Sequence, residues 1–454
     1  MTGRRLSTAE AAARLGVKPQ TLYAYVSRGL IDRRRTATGS TYDAADVERL
    51  ARGGRHPAGP AGGAWTFTTE ITLIEADRYA YRGTDAVALS RCRRFEEVAG
   101  WLWTGQWPDP SDEPWAPAAP VAEVVAAATG VLPAGTPPAD RLRVAAAAAA
   151  TADPWRHDRA PAAVVSTAKG LLAAMVDALP AVGAAASGGP GAGDGAGGFG
   201  AGGSADASGR TEAGGFGGAV GGAGGSGAAG AGAGGGACAG AHRSGGGLAD
   251  RLWPRLSRLP ATTQRVAVLD AALVLLADHE LAASTLAART AAAMGADPYA
   301  VVGAGLGAAS GPFHAASSLE VLPLLTRAQQ VGAAVALGEA LSRGPMVHGF
   351  GQPLYAGGDP RGKELLGRQR QLLEVGRDPD VVEDLVTLAA QRQLPSPNID
   401  FALAALAFRT AMVPGASEAV FLLARSAGWI AHALEEYQQR TRFRARAIYV
   451  GERD

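Results

Sequence analysis

The sequence predicts a mainly α-helical protein in which a small winged helix-turn-helix unit precedes a larger helical body. Alanine-rich stretches with Leu, Val and Met at helical spacing run from residue 117 to 180, and helical patterns resume at Leu248. A capping box, Ser7-Thr8-Ala9-Glu10, opens a short apolar helix, Gly16-Val17 makes the turn, and Pro19 starts a second helix. Strand-like runs are few and short, the clearest being residues 71–74.

Length and composition bound the possibilities. A chain of 454 residues buries a sizeable core and has room for two or three domains. Its 43 basic and 42 acidic residues nearly cancel, but residues 1–60 hold eleven Lys and Arg against five Asp and Glu. That surplus points to a polyanionic partner for the first unit alone. Cys92 and Cys238 stand far apart without ligand-forming neighbours, which suggests neither a disulfide framework nor a zinc site, and no metal is expected. Arg4 and Arg5 lead into no apolar run, and no uncharged segment has the length of a membrane span. The expectation is a cytoplasmic protein with no membrane partner.

Residues 1–50 make the first unit. Its second helix would present Lys18, Gln20, Thr21 and Tyr25 to a major groove. Arg33, Arg34 and Arg35, with the Thr38-Gly39-Ser40 turn behind them, read as a wing that grips phosphates. The pattern resembles the winged helix-turn-helix of MerR-type and excisionase-type proteins, which implies DNA as a partner. The competing reading is a small module kept for protein contact, its arginines merely solvated. Residues 51–64 are a Gly-, Ala- and Pro-rich linker.

Residues 183–247 are low-complexity Gly, Ala and Ser with almost no large apolar side chain. They bury too little to offset ordering and read as a disordered insertion looping out of the main body. Beyond them, Ala277-Asp278-His279-Glu280-Leu281 places a histidine beside two carboxylates in an apolar stretch. Left unpaired in a core, that imidazole would cost several kcal/mol, so it must be hydrogen-bonded or face a ligand. A second histidine, His314, follows the Gly311-Pro312 turn.

Further blocks follow in order: Gly349-Phe350-Gly351-Gln352-Pro353-Leu354-Tyr355, Asp359-Pro360-Arg361, Pro397-Asn398-Ile399-Asp400, Ala424-Arg425-Ser426-Ala427-Gly428-Trp429-Ile430-Ala431-His432, and Arg444-Ala445-Arg446. In that order and at about that spacing they resemble the citrate synthase family, citrate or 2-methylcitrate synthases, from about Thr69 to the end apart from the insertion. The resemblance implies an all-helical body of two domains: a large one from 65–314 and 398–454, and a small one from 315–397.

The same resemblance implies the chemistry. The reaction would condense acetyl-CoA with oxaloacetate and hydrolyse the citryl thioester, with acetyl-CoA as substrate and no cofactor. Asp400 would be the base and His314 the hydrogen-bond donor to the thioester oxygen. His279, Arg361 and Arg425 would hold oxaloacetate in one subunit, and Arg444 would reach in from the neighbour of a homodimer. Val347, Gly349, Phe350 and Gly351 would receive the adenine of CoA. The chain departs from the pattern at Gln352, where the family has a histidine that polarises the ketone, and at Ala315-Ala316, where glycines are usual. An amide donates a hydrogen bond but carries no positive charge. A second reading therefore stands beside the enzyme: a weakened catalytic body that senses acyl-CoA or oxaloacetate and regulates DNA binding, or else an enzyme preferring propionyl-CoA.

Overall fold

The computed structural model describes residues 5–27, 31–36, 39–44, 46–47, 67–75, 78–109, 114–182, 246–344, 346–372 and 380–439. The linker 51–64, most of the Gly-rich segment 183–247, and Arg444 lie outside these residues. The chain divides into two compact units, residues 1–70 and 71–454.

In the first unit, β1 (Arg5–Ser7), α1 (Thr8–Leu15), α2 (Pro19–Ser27), β2 (Arg33–Thr36) and β3 (Gly39–Asp43) follow one another. The capping box forms: the Ser7 hydroxyl accepts from the Glu10 amide, and the Glu10 carboxylate accepts from the Ser7 amide at 2.8 Å. Gly16 closes α1 with φ of +62°, the left-handed conformation in which a Cβ is unfavourable. The expected wing is the antiparallel β2–β3 hairpin, with Thr36 opposite Gly39. The sequence reading missed β1, which pairs with β3 and makes a three-stranded sheet of order β1-β3-β2. Three residues are too few to show a strand period. Ala11, Leu22, Ile31, Tyr42 and Val47 fill this unit's core.

The second unit opens with a small antiparallel sheet, β4 (Thr72–Glu75), β5 (Arg78–Tyr81) and β6 (Thr84–Asp85). Only the first of these strands was anticipated. Helices follow: α3 (Ala86–Cys92), α4 (Phe95–Thr104), α5 (Ala119–Gly130), α6 (Pro138–Ala152), α7 (Pro161–Asp177), α8 (Leu248–Leu256) and α9 (Thr263–Leu276). Prolines at the first turns of α5, α6 and α7 cut the long alanine-rich stretch into three, since proline tolerates a helix start and breaks an interior. Cys92 enters a disulfide, contrary to the expectation from spacing, and the chain's other cysteine lies outside the described residues.

Next come α10 (Ala283–Ala293), α11 (Pro298–Ala309), a 3-10 turn (Ala315–Glu320), α12 (Leu322–Val331), α13 (Ala333–Arg343), α14 (Pro360–Gln369), α15 (Val381–Gln391), α16 (Ile399–Arg409) and α17 (Ala416–Gln439). Every residue of α17 from 416 to 434 is buried. A helix enclosed on all sides serves as the axis on which the others pack. Close approach to that axis is allowed by small residues. A Cβ at Gly305 of α11 would stand 2.4 Å from the Trp429 ring, and one at Gly428 would stand 2.4 Å from both the Ala277 carbonyl and the Asp278 carboxylate.

Gly428→Ala is therefore expected to cost about 1–3 kcal/mol by overpacking. Gly367→Ala in α14, where a Cβ meets nothing within 4 Å, is expected to gain about 0.5–1 kcal/mol. Urea unfolding of both variants checks this, and equal effects would discard the packing account. Among the described residues no helix is long and apolar enough to cross a membrane.

Candidate active site

The site is built where α9 ends, α10 begins, and the starts of α14 and α16 meet α17. Beyond α9 the chain turns through Asp278, His279 and Glu280, with Glu280 at φ of +56°. That left-handed residue is a strained choice for a non-glycine side chain. The Tyr79 and Tyr81 hydroxyls converge on the carbonyls of Leu275, Val274 and Asp278 from β5, pinning the turn from below.

The two carboxylates beside His279 are not its partners. Asp278 is fully buried and points the other way, accepting from the Thr72 hydroxyl at 2.5 Å, the Glu280 amide at 3.0 Å and His432 Nε2 at 3.3 Å. These donors hold its carboxyl below the usual range despite the opposing effect of burial. Behind it, Arg289 donates to His432 Nδ1 at 3.0 Å and to Glu435 and Glu436, so a buried polar chain runs along α17 away from the site. Arginine only donates, so Nδ1 of His432 accepts and its proton sits on Nε2, facing Asp278.

His279 instead meets Tyr355, Nε2 to Oη at 2.8 Å. Burial and the nearby Arg361 and Arg425 guanidiniums push its pKa well below the ordinary value, so the ring is neutral. His314 bonds Ser284 Oγ through Nε2 at 2.8 Å, and Trp429 Nε1 donates to the same hydroxyl at 3.3 Å. Burial and Arg425 lower the His314 pKa to about 4. In the tautomer in which Nε2 accepts the Ser284 proton, the neutral ring carries its N–H on Nδ1 and can donate it to a ligand. Phe421 ties this histidine to the cations: His314 stands edge-on to its ring at 5.4 Å, and Arg425 lies over the same ring at 4.7 Å.

Asp400 sits in the first turn of α16, where the helix cap is its neighbour. The Asn398 side chain accepts from the amides of Asp400 and Phe401 at 3.0 and 3.2 Å, which frees the Asp400 carboxylate from capping duty. Burial raises its pKa, against a hydrogen bond from Ser317 and the attraction of Arg361 and Arg425. Ser317 lies in the turn that begins at His314, so base and imidazole candidates share one wall.

Arg361 is buried and forked onto Asp359, Nε at 2.9 Å and Nη2 at 2.8 Å, leaving Nη1 without a partner among the described residues. Asp359 also accepts from the Ile399 amide at 3.0 Å, fastening the start of α14 to the start of α16. Gly362 permits this, because a Cβ there would stand 2.6 Å from the Asn398 carbonyl. Arg425 is 1% exposed and its Nε donates to the Leu276 carbonyl, but it forms no ion pair among the described residues. Burial lowers its pKa and the charge of Asp278 opposes that only in part, so a ligand carboxylate would add a direct partner.

The loop 347–351 runs beside this floor. The Gly351 amide donates to the Ser396 carbonyl and the Asn398 amide to the Gly349 carbonyl, both at 2.8 Å, while Phe350 packs on Phe401 at 5.0 Å. Gly349 and Gly351 adopt φ of +86° and +84°, and a Cβ at Gly349 would stand 2.8 Å from Val321. Val347 is buried. The half-buried Gln352 makes no side-chain hydrogen bond among the described residues. Next to the loop, α12 and α13 border an open cleft of about 1300 Å³ whose lining includes Arg327, Glu339, Arg343, Val347 and His348. Its lining includes none of His279, His314 and Asp400.

The structure thus gathers His279, His314, Arg361, Arg425 and Asp400, which the sequence separates by up to 146 positions. Sequence reasoning missed Tyr355 as the partner of His279, although it quoted the block, and also missed Ser284, Ser317, Asp359 and Phe421. Tyr355 and Ser284 act through contacts 76 and 30 positions along the chain, where no local signal marks them, whereas Asp359 stands two positions from Arg361 in a block the sequence does display. Among the described residues no three His, Cys, Asp or Glu side chains gather as a metal site.

In the first unit Lys18 and Arg34 are exposed, Thr21 and Arg33 half-buried, and Tyr25 packs partly against the core. The side chains of Gln20 and Arg35 lie outside the described residues.

Residues 62–446 match the family model described as citrate synthase, C-terminal domain, and residues 6–52 match the MerR HTH family of regulatory proteins. Citrate synthase 2 of Bacillus subtilis is 32% identical over 212 residues, 45% of this chain and 56% of that protein. The 2-methylcitrate synthase 1 of Corynebacterium glutamicum is 29% identical over 183 residues, 39% of this chain and 48% of that protein. The chain thus spans about half the length of the curated relatives it matches. Among solved structures, citrate synthase from Pyrobaculum aerophilum aligns with a TM-score of 0.61 at 19% identity, covering 93% of this chain and 95% of its own. The Thermoplasma acidophilum enzyme, in ternary complex with carboxymethyl coenzyme A and oxaloacetate, aligns at 0.60 and 17% identity, covering 87% and 95%. At such identities these two show the fold.

Proposed function

Since the chain belongs to the citrate synthase family and carries a MerR-type helix-turn-helix sequence ahead of that body, we propose that it condenses acetyl-CoA with oxaloacetate to give citrate and CoA. The observation that carries this reading is a pair of buried guanidiniums, Arg361 and Arg425, with donors left over among the described residues. A dianion with planar carboxylates suits such a floor, and arginine's fork matches it in geometry and charge. Neutral His279 adds a ring nitrogen, Nδ1, that has no partner among the described residues.

On this reading Asp400 removes a methyl proton from the acetyl thioester, and His314 donates to the thioester oxygen as that oxygen gains charge. A neutral imidazole is the appropriate donor to an enolate, since the lowered pKa keeps the second proton off the ring. The new carbanion equivalent attacks the ketone carbon of oxaloacetate. Water then cleaves the citryl thioester, releasing citrate and CoA with no resident cofactor or metal. The CoA nucleotide would lie by the 347–351 loop and the adjoining cleft, where Arg343 forms no ion pair among the described residues and can meet phosphate. Arg444 of a second subunit would complete the shell in a homodimer, and residues 315–397 would form the smaller domain of the enzyme.

Free-thiol release with acetyl-CoA and oxaloacetate tests this, with propionyl-CoA run in parallel. Turnover on acetyl-CoA supports the reading, and a higher kcat/KM on propionyl-CoA reassigns the chain as a 2-methylcitrate synthase. Gln352 favours one other reading, a sensor: oxaloacetate would bind without thiol release and change DNA retention. For the first unit the proposed partner is DNA. Arg33→Ala and Arg34→Ala are each expected to weaken binding across sequences and to reduce the salt slope by about one. An unchanged slope would remove the wing from the interface.

A further inference from the structure

The position where the family places its ketone-polarising histidine holds Gln352, and its amide meets no group among the described residues. Three residues on, the Tyr355 amide bonds the Gln352 carbonyl at 3.1 Å, and that turn carries the phenol inward. Tyr355 is 4% exposed, and its hydroxyl lies 2.8 Å from His279 Nε2. Its ring lies 5.8 Å from the Arg361 guanidinium carbon, with the Tyr79 ring on that same cation at 5.7 Å.

We propose that the Tyr355–His279 pair supplies the hydrogen bond that polarises the ketone of the 2-oxo diacid, in place of a histidine at position 352. The inference rests on the function proposed above. Proton counting carries it. A neutral imidazole has one N–H and a phenol one O–H, and the bond between them uses only one. If Nε2 donates to the phenol, the Tyr355 O–H remains. If Nε2 accepts, the N–H is on Nδ1, which has no partner among the described residues. One donor is left over in either tautomer, beside the two cations that would fix the carboxylates of the same ligand. Burial raises the phenol's pKa and lowers the imidazole's, so both stay neutral near pH 7. A group in such a chain also donates more strongly than one alone. The donor faces a carbonyl oxygen that gains charge only during carbon–carbon bond formation, which favours the transition state over the ground state.

The test compares wild type, Tyr355→Phe and Gln352→Ala by the infrared carbonyl stretch of bound, C2-labelled oxaloacetate and by steady-state kinetics. Wild type is expected to show the stretch lowered relative to free oxaloacetate. Tyr355→Phe keeps the ring, removes the hydroxyl and frees the tautomer of His279. It is expected to move the stretch back toward the free value and to lower kcat about a hundredfold, with KM changed far less. A circular-dichroism melt of the variant checks that the fold is kept. A stretch unmoved by Tyr355→Phe but relaxed by Gln352→Ala would make the amide the donor and overturn the proposal. Failure of wild type to bind oxaloacetate by calorimetry would sink the function reading itself. Binding with a relaxed stretch in wild type would overturn the donor pair alone.

Discussion

Replacing Asp400 by asparagine is expected to lower kcat by about 10²–10⁴-fold while leaving the protein at least as stable as wild type at pH 7. The first half follows from geometry: the carboxylate is freed from helix capping by Asn398 and is held beside the turn that starts at His314. The second half follows from charge. Burial raises the folded-state pKa of Asp400 above that of an unfolded aspartate, so in the window between the two values the folded chain binds the proton more tightly. Its stability contribution is therefore lost as pH rises through that window, and ionised Asp400 is a burden at neutral pH that asparagine lacks. On the mechanism proposed above, the ionised form is the base. In wild type kcat/KM should climb with pH through a value above the ordinary carboxylate range, and this limb should vanish in the variant. Thiol-release kinetics and urea midpoints check both halves. A lowered midpoint with kcat within a fewfold of wild type would recast Asp400 as a structural residue.

The second large effect is expected at Arg361. Arg361→Met leaves the Asp359 carboxylate buried without its cation, and breaking a buried pair from one side costs about 3–5 kcal/mol. The loss spreads, because Asp359 also holds the Ile399 amide at the start of the Asp400 helix. Combining Arg361→Met with Asp359→Asn should recover part of that stability by removing the orphaned charge, but none of the oxaloacetate affinity. Denaturant unfolding of the two single variants and the double variant gives the coupling directly. Additive losses would mean that the pair is not a unit.

The parts of this protein legible in sequence are those whose signal is local. Ser7 and Glu10 sit three apart because a capping box requires it, and Gly16 sits where only a residue tolerant of positive φ fits cheaply. The order of His279, His314, Arg361, Asp400 and Arg425 carried the family, and the structure places all five around one floor. What the residues alone did not reveal is the set of partners that makes each one usable. Adjacency sets Asp278 and Glu280 beside His279 in the sequence but does not say which group bonds the imidazole. A turn with Glu280 at positive φ sends Asp278 away, toward Thr72 and His432. The true companion, Tyr355, lies 76 positions on. Likewise β1, β5 and β6 are two to four residues long, below the length at which alternation can be seen.

The main-chain bonds from Gly351 to Ser396 and from Asn398 to Gly349 have a mechanical meaning. They tie the glycine loop to the segment that launches the Asp400 helix, so the loop's position and the start of that helix are set together. On the function proposed above, losing either bond would be expected to disturb nucleotide seating and the placement of the carboxylate at once.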